Sequence, residues 1–167
     1  MKVMGIVGWS GSGKTSLVVE VLPILEEAGL KVSTMKHAHH RFDVDKPGKD
    51  SFRHREAGAS EVLVVTSSRW VLMHESREEL EPSIESLIER MTPVDLLLIE
   101  GFKTHNHPKL EIHRASEGNP LLCQDDPEIV AVASDSPLPN LRIPRLDLNN
   151  PGAIAEFILT HTGFNRS

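Results

Sequence analysis

The sequence predicts an α/β fold in which a mainly parallel sheet is flanked by helices and carries an added β-hairpin. Three observations support this fold class. Strand-like apolar runs alternate with helix-like segments along most of the chain. A glycine-rich loop joins the first apolar run to the first helical segment. The run VDLLLI, residues 94–99, is almost continuously apolar, which is typical of a strand buried on both faces of a parallel sheet.

The individual elements follow from the spacing of apolar residues and from the residues that interrupt it. Gly29 is expected to end the first helix, and Pro151 to begin the last one after an Asn149 or Asn150 cap. Pro23 is expected to bend or shorten the first helix. The run at 109–113 alternates, which favours an edge strand. The predicted strands are 2–7, 30–35, 94–99, 109–113, 129–133 and 142–146, the hairpin strands are 61–66 and 70–74, and the helices are 14–28, 78–91 and 151–160.

Composition and charge narrow the class of protein. With 167 residues, of which 39% are hydrophobic and 25% charged, the chain suits a single globular domain spanning 1–167. Its net charge of -6 argues against a domain whose main task is binding nucleic acid. The single cysteine, Cys123, excludes an internal disulfide, and its apolar neighbours favour packing. No signal peptide or bilayer-spanning run is indicated, so a cytoplasmic protein is expected.

The strongest motif is GWSGSGKT, residues 8–15, which matches G-x-x-x-x-G-K-[ST] at every fixed position. It lies between a strand and a helix, where backbone N–H groups and the helix N-terminus surround an anion. Lys14 is expected to reach the β- and γ-phosphates of a nucleotide, and Thr15 to place its hydroxyl on Mg²⁺. The motif in this context predicts a P-loop NTPase-like fold.

A P-loop also needs a carboxylate near the metal, at the tip of a neighbouring strand. The stretch VDLLLIEG offers Asp95 at the start of the strand and Glu100 at its end. Ligands gather at the carboxyl ends of parallel strands, so Glu100 is predicted on the Mg²⁺ side, directly or through water. Asp95 is interpreted as a strand-entry residue.

The stretch from 37 to 58, HAHHRFDVDKPGKDSFRHREAG, is a polar loop that follows the second strand. It is expected to emerge at the same sheet edge as the P-loop and either to sense the γ-phosphate or to hold a second anion. A mobile, solvated loop is the simpler alternative. A short helix after PGKDS is predicted, capped by Asp50 or Ser51. Acidic residues that would orient Mg²⁺ or its waters are Asp43, Asp45 and Asp50, and basic residues that would hold an anion are Lys46, Lys49, Arg53 and Arg55.

Two groups of histidines raise the hypothesis of a transition-metal site. His37, His39 and His40 lie at the start of the polar loop, and a second, weaker group comprises His105, His107 and His113. Their spacing is loose, so a solvated loop explains them as readily as a metal centre.

Taken together, GWSGSGKTSL, KHAHHRFDVDKPGKDSFRHREAGA, LLLIEGFK and AVASD resemble the molybdopterin-guanine dinucleotide biosynthesis adapter family, MobB. The resemblance extends from Gly5 to Asp135. It implies a dimeric, GTP-binding α/β protein with Mg²⁺, whose extra β segment pairs the subunits. It also implies an assisting role beside the nucleotidyltransferase that joins GMP to the molybdenum-bearing pterin, with weak GTP hydrolysis at most. Molybdopterin itself is a further expected ligand.

The resemblance also implies roles for individual residues. Asp45, Lys49 and Asp50 match the polar-loop motif of the family. Asp135 ends the AVASD stretch where a guanine-reading residue would stand, although the usual N-K-x-D reader is absent from the sequence. An Asp before Ser-Pro is equally expected as a plain turn residue. The positions that match the phosphate loop are Gly8, Gly11, Ser12, Gly13, Lys14, Thr15 and Ser16, and those that match the second motif are Glu100 and Gly101.

Three alternatives remain open at the level of sequence. A small-molecule kinase would use the same P-loop, with Asp45 as the base and Arg53 or Arg55 as a lid cation. A metal-delivery protein would use the histidines. The hairpin around Trp70 would either pair subunits or be buried within one chain.

Overall fold

The computed structural model describes residues 1–38, 42, 44–76 and 81–164. The contacts of the chain fall into two compact units, Met1–His37 with Thr92–Ser167, and Ala38–Met91. The single domain expected from chain length stays a prediction. In chain order the elements are β1 Lys2–Gly8, α1 Lys14–Glu27, β2 Val32–Lys36, α2 Asp50–Glu56, β3 Glu61–Val65, β4 Trp70–His74, α3 Ile84–Glu89, β5 Leu96–Glu100, β6 Lys109–His113, β7 Ile129–Ser134, β8 Arg145–Asp147 and α4 Pro151–Thr162.

The first unit contains a six-stranded sheet in the order β2-β5-β1-β6-β7-β8, and all of its described pairings are parallel. This confirms the predicted fold class. Parallel pairing brings the carboxyl ends of all six strands to one edge, where the loops that follow β1, β2, β5, β6 and β7 begin. Two further turns, the 3-10 helices Ala115–Glu117 and Leu122–Gln124, follow β6 and were not predicted.

The prediction that residues 109–113 form an edge strand is wrong, because β6 pairs with β1 on one side and with β7 on the other. Two of its polar residues, Lys109 and Glu111, are buried rather than solvated. Lys109 is 1% exposed, and its ammonium lies 2.9 Å from the Asp126 carboxylate. Glu111 is fully buried and accepts hydrogen bonds from the backbone N–H groups of Leu122 and Cys123, at 2.8 and 2.9 Å.

One face of this sheet packs against α1 and α4, which also pack against each other. Leu17, Val21 and Leu25 repeat at helical spacing on α1, so they form one apolar stripe. Pro23 lies inside α1, and the helix continues to Glu27 without being shortened there. The core residues of this face are Met4, Ile6, Leu17, Val18, Val21, Leu25, Leu96, Leu98, Leu110, Ile112, Ala131, Ala133, Leu148, Ile154, Ala155, Ile158 and Leu159.

The ends of α4 follow from its sequence. The side chain of Asn150 caps the helix by accepting a hydrogen bond from Ala153 N–H at 3.0 Å, and Pro151 occupies the first turn, as predicted. Gly163 ends the helix in the left-handed conformation, with φ of 84°. The observed β8 is also shifted towards the C-terminus relative to the predicted 142–146.

The second unit contains α2, α3 and the antiparallel hairpin of β3 and β4. The hairpin was predicted correctly. The helix predicted at 78–91 is shorter, because Ser83 caps α3 by accepting from Ser86 N–H at 3.2 Å; residues 77–80 lie outside the described residues. The residue at the cap of α2 is Lys49, instead of the predicted Asp50 or Ser51. Every helix within the described ranges is too short or too polar to cross a lipid bilayer.

Candidate nucleotide-binding site

The glycine-rich loop connects β1 to α1 at the carboxyl edge of the sheet. Gly8 and Gly13 adopt positive φ angles of 153° and 95°, a region that other residues rarely enter. A Cβ atom at Gly8 would lie 2.5 Å from the Ile112 carbonyl oxygen and 2.7 Å from Ser12 Oγ, so only glycine fits. Gly13 is the N-terminal cap of α1, and the loop therefore directs the N-terminus of a 14-residue helix at its own concavity.

Lys14 is held against this loop by its own backbone. Its Nζ donates hydrogen bonds to the carbonyl oxygens of Gly8 and Trp9, at 3.1 and 2.8 Å. Burial lowers the pKa of Lys14, the carboxylate of Glu100 opposes the shift, and the charges of Lys103 and Lys36 add to it. An anion bound in the loop would partly neutralise the positive charge of these three lysines.

Thr15 and Glu100 meet as the sequence predicted. Thr15 Oγ1 donates to Glu100 Oε1 at 2.8 Å, which joins the first turn of α1 to the carboxyl end of β5. A third group, not predicted, completes the cluster: Lys36 Nζ lies 3.1 Å from Glu100 Oε1 and 3.2 Å from Thr15 Oγ1. An open depression of about 340 Å³ adjoins this cluster and is lined by Ser10, Gly11, Gly13, Lys14, Thr15, Ser16 and Glu100.

The residues of the loop fit a phosphate and a hard divalent cation. Ser12 is 2% exposed, and its Oγ has no hydrogen-bond partner among the described residues, so a buried donor is available inside the loop. The hydroxyl of Thr15 and the carboxylate of Glu100 are oxygen ligands of the kind that Mg²⁺ prefers. The structure thus brings together all seven predicted phosphate-loop residues and Glu100.

Arg114 links Asp135 to the phosphate loop. Its Oδ1 accepts from the backbone N–H of Ala115 at 3.1 Å and from the hydroxyl of Ser136 at 3.3 Å, while its Oδ2 lies 3.5 Å from Arg114 Nη1. Arg114 Nε in turn donates to the carbonyl oxygen of Ser12 at 3.2 Å. The hydrogen bond from Ala115 is the main cause that lowers the pKa of Asp135, so the carboxyl is an acceptor at neutral pH. Its role towards guanine stays a prediction.

Apart from His37, the predicted polar-loop residues that the structure describes belong to the second unit, and their described contacts lie within that unit. Arg55 Nη2 lies 3.1 Å from Asp45 Oδ1, and Arg55 Nε lies 3.7 Å from Glu75 Oε1. The side chain of Asp45 is only 5% exposed, so this ion pair accounts for its burial. Arg55 also lies over the ring of Phe52, at 5.0 Å. The proposed roles of Asp45 towards Mg²⁺ and of Arg55 towards an anion stay predictions.

Three predicted residues of α2 are exposed and therefore accessible to an anion or a partner: Lys49 at its N-terminal cap, Asp50 in its first turn and Arg53 in its last turn. Asp43 and the histidines at 39 and 40 lie outside the described residues. His37 stacks on Phe102 with 4.4 Å between ring centroids, and Phe102 contacts His105 edge-on. Within the described ranges no group of three or more His, Cys, Asp or Glu side chains is arranged to hold a metal ion.

Burial, together with the adjacent Glu111, raises the pKa of the Cys123 thiol to about 11. The thiol is therefore protonated at neutral pH and poorly nucleophilic, in agreement with the interpretation of Cys123 as a packing residue.

Sequence reasoning missed Lys36, Lys103 and Arg114. Each follows or ends a strand at the carboxyl edge: Lys36 ends β2, Lys103 follows β5 and Arg114 follows β6. Lys103 Nζ lies 4.4 Å above the ring of Trp9 in the loop. A basic residue at the carboxyl end of a strand is a recognisable feature of the sequence. It indicates a site residue only when the order of the strands in the sheet is also known.

The fold and the loop define the chain as a P-loop NTPase-like α/β protein. Residues 3–135, most of the chain, match the family model described as molybdopterin guanine dinucleotide synthesis protein B, MobB. The chain belongs to this family.

Similar proteins of known name and similar solved structures belong to the same family. The molybdopterin-guanine dinucleotide biosynthesis adapter protein of Escherichia coli K12 is 40% identical over 160 residues, which cover 94% of this chain and 91% of that protein. The protein of the same name from Haemophilus influenzae is 41% identical over 158 residues, covering 93% and 86%. A crystal structure of molybdopterin-guanine biosynthesis protein B has a TM-score of 0.76 at 26% identity, over 95% of this chain and 99% of that one. Bacillus subtilis MobB shares the fold, with a TM-score of 0.73 at 24% identity over 97% and 98%.

Proposed function

We propose that this protein is a GTP-binding accessory protein of molybdopterin-guanine dinucleotide synthesis, which assists the nucleotidyltransferase of that step. The observation that carries the proposal is the hydrogen bond between Thr15 and Glu100 beside the phosphate loop, in a chain of the MobB family. This pair provides a metal-side hydroxyl and carboxylate next to a loop that would surround a triphosphate.

In the proposed complex, backbone N–H groups of the loop and the N-terminus of α1 bind the phosphates. Lys14 exchanges the carbonyl oxygens of Gly8 and Trp9 for the β- and γ-phosphates. Thr15 and Glu100 would hold Mg²⁺, which neutralises negative charge on the phosphate oxygens. Glu100 already accepts from Thr15 and pairs with Lys36, so we assign it to the metal side and assign no catalytic base. We propose GTP hydrolysis that is weak at most, because the accessory role requires binding of the nucleotide and not its turnover.

The name of the relatives includes the word adapter, and we extend that role to this chain. Its partner would be the pterin nucleotidyltransferase, and the exposed Lys49, Asp50 and Arg53 on α2 would contact either that enzyme or the phosphate of molybdopterin. We place the protein in the cytoplasm, where GTP and Mg²⁺ are available.

The proposal is tested by mixing the purified protein with the purified nucleotidyltransferase and measuring complex formation by calorimetry. A saturable complex supports the adapter role, and no detectable binding with or without GTP would contradict it.

Incubation with γ-labelled GTP and ATP distinguishes the kinase alternative from the adapter role. Stoichiometric transfer of label to a small-molecule acceptor would show a kinase instead of an adapter.

The hairpin supports a homodimer. In the β3–β4 register, Leu63 lies opposite Leu72, and Val65 lies opposite Trp70, so these four residues share one face. In the single chain they are 60%, 47%, 67% and 64% exposed, in that order. An apolar face of this kind on a two-stranded sheet is typical of a surface that is covered by a partner. We propose that the partner is a second copy of the chain.

We expect Leu63→Lys to weaken the dimer at least about tenfold, because a charge would be buried in the apolar interface. Analytical ultracentrifugation over a concentration series measures this change. Ser67→Lys places the same charge on the exposed turn of the hairpin and serves as the control. A wild-type protein that is monomeric at high concentration, or a Leu63→Lys dimer as tight as wild type, would contradict the dimer proposal.

For the guanine-reading role of Asp135, we expect Asp135→Asn to lower the ratio of GTP to ATP affinity about tenfold, since an anionic acceptor for the guanine N–H groups is lost. Competition titrations with the two nucleotides measure the ratio. Ser136→Ala removes a hydrogen bond to the same carboxylate while leaving the charge in place, and it should leave the ratio nearly unchanged. An unaltered ratio in Asp135→Asn would place the base reader elsewhere.

A further inference from the structure

Lys36 occupies the position next to Thr15 and Glu100 that a metal ion would need. Its Nζ lies 3.1 Å from Glu100 Oε1 and 3.2 Å from Thr15 Oγ1, and those two oxygens are 2.8 Å apart. The ammonium therefore contacts the same two oxygens that we assign to Mg²⁺. The arrangement is built into the sheet, because Lys36 on β2 and Glu100 on β5 are register partners.

The burial of the two charged groups differs. The side chain of Glu100 is 14% exposed, whereas that of Lys36 is 58% exposed. A lysine has a flexible four-carbon stem, so Lys36 is able to leave the cluster while Glu100 stays. An ammonium and a divalent cation repel each other strongly at such distances, so both cannot occupy the position together.

Lys36 also affects the net charge of the site. Glu100 lines the depression in which the phosphates are expected, and an uncompensated carboxylate there would repel them. Lys103 is also close to the loop, but its ammonium lies over the Trp9 ring. Lys36 is thus the lysine that neutralises Glu100 directly, among the contacts of the described residues.

We propose that Lys36 is an internal counter-cation, which substitutes for Mg²⁺ at Thr15 and Glu100 and is displaced when the metal binds with the nucleotide. This inference rests on the proposed nucleotide site. It implies that the protein retains part of its nucleotide affinity without Mg²⁺, and that Mg²⁺ must compete with Lys36 for the site.

The test compares dissociation constants for a non-hydrolysable GTP analogue with excess EDTA and with Mg²⁺. For Lys36→Met we expect the ratio of the EDTA value to the Mg²⁺ value to rise roughly five- to tenfold over wild type, the effect of one unit charge in a partly hydrated site. Linkage requires the half-saturating Mg²⁺ concentration of the nucleotide complex to fall by the same factor. Lys36→Gln provides a second neutral variant, and Lys36→Arg, which keeps the charge, should remain closer to wild type than to Lys36→Met.

Lys103→Met is the matched control, because it removes a lysine charge near the loop whose described contact is with the Trp9 ring and not with Glu100. It should weaken binding with and without Mg²⁺ to a similar extent and leave the ratio unchanged. An unchanged ratio in Lys36→Met, or an equal rise in Lys103→Met, would overturn the inference while leaving the nucleotide site intact. A wild-type protein that does not bind the GTP analogue even with Mg²⁺ would overturn the proposed function and this inference with it.

Discussion

Lys14→Ala is expected to lower the affinity for GTP at least about a hundredfold, since charge-assisted hydrogen bonds to two phosphate groups are lost. The fold should persist. Among the described residues, the partners of the Lys14 ammonium are the carbonyl oxygens of Gly8 and Trp9, which lie in a loop open to water. Equilibrium titration with GTP and Mg²⁺ measures the affinity, and thermal unfolding of the same sample reports whether the fold is retained.

Lys31→Ala is the matched control for this substitution. Lys31 is exposed and immediately precedes β2, at the opposite end of the strand from Lys36, so its removal changes the net charge equally without touching the loop. GTP affinity should stay close to wild type in this control. A folded Lys14→Ala protein with undiminished GTP affinity would show that the phosphates bind elsewhere.

Asp126→Ala is expected to lower the free energy of unfolding by about 3 kcal/mol, because it leaves a buried ammonium without its partner. Lys109 is 1% exposed, and Asp126 Oδ2 lies 2.9 Å from its Nζ. The same carboxylate also accepts the backbone N–H of Glu128 at 3.0 Å, which adds to the loss. Urea denaturation of the two proteins measures the difference.

The neutral replacement Lys109→Met separates the cost of an unpaired charge from general damage to the site. The lysine stem packs close to Gly5, and a methionine of similar length keeps that apolar contact. The double variant Lys109→Met with Asp126→Ala should recover stability to within about 1 kcal/mol of wild type. A double variant that is no more stable than Asp126→Ala would contradict the charge argument.

The parts of the site that could be predicted from the sequence are those that local chain geometry determines. The motif GWSGSGKT specifies a strand, a turn and a helix within a few residues, and the structure places Lys14 and Thr15 accordingly. Glu100 was also predictable. It ends an apolar strand, and in a parallel sheet the end of a buried strand lies at the same edge as the loop.

The errors in the prediction arise where partners come from distant segments of the chain. Alternating polar residues suggested that β6 is an edge strand, but Lys109 pairs with Asp126, and Glu111 bonds to the backbone at Leu122 and Cys123. Neither pairing is encoded within β6 itself. Because β6 adjoins β1, Arg114 lies beside the loop, and the prediction of an edge strand gave no reason to expect it there.

Lys36 was missed for a related reason. Its contact with Glu100 depends on β2 being the neighbour of β5, although the two strands are separated by the entire second unit in the sequence. The length of α3 was overestimated because the amphipathic pattern continues upstream of Ser83, whose side chain caps the helix. Periodicity indicates which face of a helix is apolar, whereas the caps determine where the helix begins.

The most direct test of the proposed nucleotide site is calorimetric titration of the wild-type protein with GTP and with ATP in the presence of Mg²⁺. We predict saturable GTP binding at a single site per chain, with weaker binding of ATP. The absence of saturable heat with GTP, or equal affinity for the two nucleotides, would contradict the proposal that the loop of residues 8–15 forms a GTP site with Thr15 and Glu100.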